Sequence, residues 1–259
     1  AKQLATLDQM SGGRLGLNVV AGWNKPEYDA FGIDLPGDHS DRYAMAQEWF
    51  DYVQKLWTAD TAFDWDGNFY QGKGVYSLPH PVQPKMPIIN AAGSEEGRVF
   101  AMRNADFLFT PVFDFDQAKA TAADITERAA SVGRKVDVLT LCTVVCRPTQ
   151  QEAEDYLNWY AEEQADWEAV DNLMTLQGMH AQSFTPEALA LYRDRMAAGH
   201  GGFPLVGTPD TIADLLEKLS VAGIAGTTLA FVDYAKEFPY FRQEVLPRLE
   251  AKGLRQPVN

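Results

Sequence analysis

The chain has 259 residues, enough for one α/β barrel of about 250 residues, so its length does not require a second domain. With 22 Lys and Arg against 36 Asp and Glu, its net charge of −14 favours solubility and argues against polyanionic partners such as nucleic acid or an anionic membrane. No apolar run reaches the length of a bilayer span, and the first residues read as a charged helix rather than a signal peptide, which points to the cytoplasm.

Ala5, Leu7 and Met10 belong to a helical run that Ser11-Gly12-Gly13 stops. Arg14 to Val20 then reads as a strand ending in the β-branched pair Val19 and Val20. That strand leads into a polar, Gly-containing loop that carries Trp23, Glu27 and Tyr28. Helix, glycine turn, strand and loop make one step of a parallel α/β protein, and barrels of this class place their chemistry at the carboxyl ends of the strands. Asp41 to Trp57 predicts an amphipathic helix with Trp49, Phe50, Val53, Leu56 and Trp57 along one side. Ala62 to Tyr70 alternates around Asp66-Gly67 and predicts a β-hairpin outside the barrel. Core strands are expected at Pro87 to Ala91, Asp106 to Thr110 and Val136 to Cys146, with helices after the first two. Cys142 and Cys146 share the last of these strands, roughly 13 Å apart along it, too far for a disulfide. Free buried thiols in a reducing compartment are the expectation.

A long helix is expected from Thr149 through Trp159 to the region of Trp167. Asp171 to Phe203 then holds helical pieces, His180 and the stretch Met196-Ala-Ala-Gly-His200-Gly-Gly, without a new strand, and reads as an insertion over about residues 171–203. Thr208-Pro209-Asp210 reads as an N-cap with proline at the first helical position; Thr227 to Val232 is the fifth core strand, and a last helix ends near Lys252. No linker divides the sequence, so a single domain over residues 1–259 is expected.

Several runs are similar to the bacterial luciferase-like, flavin-dependent monooxygenases, especially the alkanesulfonate, dimethylsulfone and pyrimidine monooxygenases. They are Ala5 to Tyr28, His39-Ser-Asp-Arg42-Tyr43, Asn90-Ala-Ala-Gly-Ser94-Glu-Glu-Gly97, Leu205-Val-Gly-Thr-Pro209 and Phe238 to Pro247, and they span nearly the whole chain. The resemblance implies a TIM (β/α)8 barrel. Because only five core strands are expected where that barrel has eight, the chain is read as an incomplete barrel lacking the first three βα units, on the order of 100 residues. A fragment of that kind need not be active by itself.

The resemblance also implies a two-component enzyme. A separate flavin reductase supplies reduced FMN, and the protein uses it with O2 on a small organic substrate, organosulfur or heterocyclic, as a homo-oligomer. Two alternatives stand beside it: a deazaflavin (F420)-dependent hydride-transfer oxidoreductase of the same fold, and a non-catalytic flavin-binding homologue. By the resemblance, Asn18, Glu27, Arg42, Tyr43 and Ser94 contact the cofactor and Trp23 walls the pocket beside it, with His39 a further pocket candidate; Arg195 and His200, cations of the insertion, are candidates for a lid over the substrate pocket, and no metal is expected. Local chemistry leaves each of these open. Ser94 before a helix suits an anion at the helix's positive end but also an ordinary N-cap. Arg42 is a cation at a helix start, which suits a neighbouring anion or a pair with Asp38 or Asp41. Asn18 can donate and accept toward a flavin edge, or satisfy nearby backbone. One departure bears on the substrate: alkanesulfonate monooxygenases place an Arg and a His two apart on the strand where this chain has Leu141 and Thr143.

Overall fold

The computed structural model describes residues 1–178 and 185–257, with His39 described by its backbone only. The chain forms two compact units, residues 1–108 with 129–136 and residues 109–128 with 137–259.

The first unit contains α1 (Lys2–Ser11), β1 (Leu17–Val19), α2 (Lys25–Ala30), α3 (His39–Thr58), β2 (Phe63–Asp66), β3 (Gln71–Val75), β4 (Ile88–Ala91) and α4 (Glu95–Asn104). Gly12, at φ 66°, ends α1 in the left-handed conformation that glycine adopts without a Cβ penalty. β1 and β4 pair in parallel, with Leu17 opposite Ile88 and Val19 opposite Asn90. Ala5 of α1 and Val53 and Trp57 of α3 form a buried cluster with Met86, and Leu17 packs against it. Residues of Leu17's parity therefore face the helices, and Asn18 and Ile89 face the other way.

Two carboxylates fasten the loops of this unit. Asp8, fully buried, accepts from the Val82 N–H at 2.7 Å, the Gln83 N–H at 3.0 Å and the Gln83 side-chain amide at 2.7 Å. These bonds, the Gln83 backbone N–H foremost, hold its carboxyl below the usual range. Glu48 on α3 reaches the β2–β3 hairpin and accepts from the N–H groups of Asn68 at 2.9 Å, Phe69 at 3.1 Å and Tyr70 at 2.8 Å. The hairpin was expected within Ala62 to Tyr70 around a tight Asp66-Gly67 turn. Instead residues 67–70 form the loop and the second strand starts at Gln71, because the loop's backbone donors wrap a carboxylate supplied by a distant helix.

Past β5 (Phe107–Phe109) the chain enters the second unit: α5 (Phe115–Ser131), β6 (Asp137–Cys146), α6 (Gln150–Asn158), a π-helical turn Trp159–Glu163, α7 (Trp167–Leu176), α8 (Pro186–Gly199), β7 (Phe203–Gly207), α9 (Pro209–Val221), β8 (Ile224–Ala230), α10 (Tyr234–Glu244) and α11 (Leu246–Ala251). β6 lies between β7 and β8, parallel to both; Cys142 stands opposite Phe203 on one side and Leu229 on the other. The strand is an almost continuous apolar run because neighbours cover it on both edges and both faces. Thr208 caps α9 through its hydroxyl, with Pro209 at the first helical position, as the sequence predicts. Both cysteines are free and buried.

Three expectations change here. Phe203–Gly207 is a strand, so the insertion ends in a strand that the five-strand reading missed; Pro204 and the preceding glycines hide it, since proline cannot donate to a ladder and is found at sheet edges. The single helix expected from Thr149 to Trp167 is broken: α6 ends in the π-helical turn, and Asp166 caps a new helix through its side chain. Glu27 and Tyr28 lie on the short helix α2 rather than in an open loop. Among the described residues, no helix is long and apolar enough to cross a membrane.

Candidate active site

The carboxyl end of β4 gathers the most concentrated set of polar groups in the first unit. Asn90, fully buried in an otherwise apolar strand, donates its side-chain amide to the Val19 carbonyl at 2.7 Å and so ties β4 to β1. Its carboxamide oxygen is buried with no partner. Ser94 then caps α4, accepting from the Gly97 N–H at 3.2 Å.

Tyr43 comes to the same place from α3. Its ring packs on Phe100 at 5.8 Å between centroids, and Phe100 packs edge-on to Phe50 at 6.2 Å. The hydroxyl reaches the start of α4 because residue 97 is glycine: a Cβ there would lie 2.4 Å from the Tyr43 oxygen. Burial raises the phenol's pKa, and hydrogen bonding by Asn90 and Ser94 works against that rise, as does the charge of Arg42; Glu96 adds to it. Tyr43 is therefore a neutral hydroxyl near neutral pH, able to donate.

Arg42 stands beside it. Among the described residues its side chain makes one hydrogen bond, a long one from Nη1 to the Pro36 carbonyl at 3.5 Å, and its Nε is buried without a partner. Tyr43 and Ser94, predicted from separate motifs, thus meet, together with Asn90, which the site prediction omitted, and the charge of Arg42 acts on the same phenol. The available signal for Asn90 was a lone carboxamide at the end of an apolar strand, a position where a buried polar group needs a partner. Glu95 and Glu96 occupy the first turn of α4, so an anion at this helix start depends on Arg42 to offset them.

The other predicted cofactor residues lie apart from this cluster. Asn18 is exposed, on the face of β1 away from the helices. Glu27 is exposed on α2, and Trp23 is 45% exposed. Gly22, at φ 89°, lets the Tyr28 hydroxyl close over the loop, since a Cβ there would meet it at 2.4 Å. The side chain of His39, and His180 with the rest of residues 179–184, lie outside the described residues.

In the second unit the predicted lid residues are held firmly. Val170, Met174, Tyr192 and Met196 form a small core between α7 and α8, and Arg193 closes the pair with a two-pronged bond to Asp171 at 2.6 and 2.9 Å. Arg195 donates to the Val112 and Phe113 carbonyls at 3.2 and 2.8 Å, and its guanidinium lies 5.7 Å from the Phe113 and Phe203 ring centres. Burial lowers its pKa, and Asp114 works against that. His200 ends α8 at φ 53°, exposed. The glycines around it serve close approach: a Cβ on Gly202 would lie 2.6 Å from Thr143 Oγ1 and 3.1 Å from Leu141, and one on Gly201 2.8 Å from the Tyr192 hydroxyl.

Comparison with known proteins accords with this arrangement. The family described as luciferase-like monooxygenase matches residues 1–226. An FMNH2-dependent dimethylsulfone monooxygenase of Pseudomonas putida is 34% identical over 255 residues, covering 95% of this chain and 69% of that protein. Pyrimidine monooxygenase RutA of Bradyrhizobium sp. (strain BTAi1 / ATCC BAA-1182) is 31% identical over 265 residues, covering 98% of this chain and 72% of its own length. Among solved structures, that of DmoA from Hyphomicrobium sulfonivorans superposes with a TM-score of 0.84 at 23% identity, covering 98% of this chain and 65% of the other, and so shares the fold. The chain belongs to the luciferase-like monooxygenase family and has its α/β barrel fold.

Proposed function

We propose that this protein is an FMNH2-dependent monooxygenase in which Arg42, Tyr43 and Ser94 hold the cofactor's phosphate. The observation that carries the reading is that Ser94 and Asn90 reach the Tyr43 hydroxyl at the carboxyl end of β4, with the charge of Arg42 acting on it and the Arg42 Nε donor buried without a partner among the described residues. An orphaned donor beside a neutral phenol and a helix start fits a phosphate. Reduced flavin, when bound, supplies the electrons that activate O2. The protein's own part is to bind, orient and exclude water. Arg42 offers a guanidinium fork, Tyr43 a hydroxyl kept protonated by burial, and Ser94 a hydroxyl at the positive end of α4. Asn18, exposed on the opposite face of β1, is assigned to the polar edge of the flavin ring, with Glu27 and Trp23 in the adjoining loop.

The family relationship and these residues favour reduced FMN delivered by a separate reductase, a small organic substrate, a homo-oligomeric assembly and a cytoplasmic location. Leu141 and Thr143 provide no charged donors, so an alkanesulfonate would forgo about 1.5–3 kcal/mol for each charge-assisted hydrogen bond made elsewhere in the family. An uncharged sulfone or a pyrimidine fits better. The test is oxygen uptake by the protein with FMNH2 generated by an added flavin reductase, in the presence of dimethyl sulfone, uracil or an alkanesulfonate. Uptake and an oxygenated product that depend on one of the first two support the assignment. Failure to bind reduced FMN would overturn it.

A further inference from the structure

The opposite end of β4 from Ser94 carries a second constellation, unrelated to the cofactor reading. A cleft of about 490 Å³ opens beside Met86 and Ile88, floored by Met86 and Trp57 and lined by Lys55, Lys85, Arg103 and Arg134. Four cations around one cleft stand out in a chain of net charge −14. Part of this charge is accounted for internally. Asp106 pairs with Lys85 and lies 3.9 Å from Arg134. Lys55 and Arg103 stand in the last turns of α3 and α4, where each helix end contributes roughly half a negative charge. Subtracting the carboxylate and two half charges from four cations leaves about two positive charges uncompensated. Among the described residues Arg103 forms no ion pair, Lys55 lies over the Phe63 and Trp65 rings at 4.4 and 5.9 Å, and Arg134, which donates to the Ala105 carbonyl at 2.8 Å, keeps its Nε buried without a partner.

We propose that this cleft binds a small multivalent oxyanion of the phosphate class, with Arg103, Arg134 and Lys55 as its principal contacts. Two guanidinium forks and an ammonium converging over an apolar floor match the charge and the acceptor geometry of a diphosphate. The chain's overall negative field disfavours anions over most of its surface, so a locally cationic cleft stands out as a place for one. The ligand's source is either free inorganic phosphate species or the phosphate end of a larger metabolite.

The experiment titrates the protein with inorganic pyrophosphate by calorimetry and follows the Trp57 indole N–H by NMR, assigned with Trp57→Phe. Arg103→Gln and Lys55→Gln serve as test variants, since both residues are exposed and neither closes an ion pair. The expected result is saturable binding that shifts the Trp57 signal, weakened roughly tenfold or more by either substitution. A nucleoside diphosphate binding more tightly than pyrophosphate identifies a larger metabolite as the source; equal affinity identifies the free anion. Arg42→Ala should leave this binding intact, because Arg42 stands at the other end of the strand. The proposal is overturned if pyrophosphate does not saturate, if both substitutions leave its affinity unchanged, or if Arg42→Ala abolishes the Trp57 shift.

Discussion

Replacing Arg42 with alanine separates a binding role from a structural one, because the folded protein makes little use of this side chain. Its single hydrogen bond among the described residues, to the Pro36 carbonyl, is at the long limit of 3.5 Å, and Nε has no partner there although buried. Removing it costs one weak bond, below about 1 kcal/mol, and also relieves an unsatisfied donor. If the guanidinium holds a phosphate, the same substitution removes at least one charge-assisted hydrogen bond worth about 1.5–3 kcal/mol, a rise in Kd of about tenfold to a hundredfold. Glu96 in the first turn of α4 adds to the loss by repelling the anion. FMN titration by fluorescence, in oxidised and reduced form, measures the affinity, and urea unfolding measures the stability. Arg42→Lys should fall between, keeping the charge and losing the fork. An alanine variant that binds FMN as tightly as the parent refutes the assignment. So does one whose loss of stability accounts for its loss of binding.

Further consequences concern the scaffold. Glu48→Ala should loosen the β2–β3 hairpin and cost about 0.5–1.5 kcal/mol, since the loop amides it holds are partly open to water; faster amide exchange at residues 68–70 is the readout, and unchanged exchange counts against the clamp. Burial alone would raise the Glu48 carboxyl, but the N–H groups of Tyr70, Phe69 and Asn68 and the Trp65 indole bring it below its ordinary value. Its contribution is therefore complete above about pH 4.3 and is lost as pH falls through the lowered folded value, a slope that Glu48→Gln should flatten. Gly202→Ala should destabilise by about 1–3 kcal/mol through overlap with Thr143, and Thr143→Ala should recover part of this; no loss, or no recovery, contradicts the packing. Burial pushes the thiol of Cys142 up to about 12 and that of Cys146 up to about 11, so both should resist a disulfide reagent at pH 8 until urea exposes them. Rapid labelling of the native protein would show that the burial is wrong.

Sequence alone revealed most where local signals agreed with tertiary context. The Gly12 stop, the apolar run of β6 and the Thr208-Pro209 helix start each carry their own cause, and all three stand where they were expected. α2 carries a start signal in Asn24, Pro26 and Glu27, but it buries no residue and so presents no apolar stripe to show that a helix follows. β7 was concealed because its identity comes from pairing with Cys142 to Cys146, some sixty positions away, while Pro204 argues locally against a strand. At the candidate site, Ser94 and Arg42 each had an ordinary local explanation, a cap and a solvated charge. Only the fold brings Ser94 and Asn90 to the Tyr43 hydroxyl, with the charge of Arg42 nearby, and Asn90 matters because it is buried.

The Gly-rich stretch before β7 and the missing basic pair on β6 are two sides of one packing arrangement. Thr143 is buried and donates its hydroxyl to the Gly199 carbonyl at 3.2 Å, and the Gly202 backbone sits directly on Thr143 and Leu141. A histidine at 143 or an arginine at 141 would need the volume that this turn occupies, and the turn cannot withdraw while Phe203 to Gly207 stays in register with Cys142 to Cys146. The glycines thus let a backbone segment occupy the volume that two large side chains on β6 would need. Positions 141, 143, 199 and 202 are therefore packed as one unit, and changing one of the four alone should cost stability before anything else.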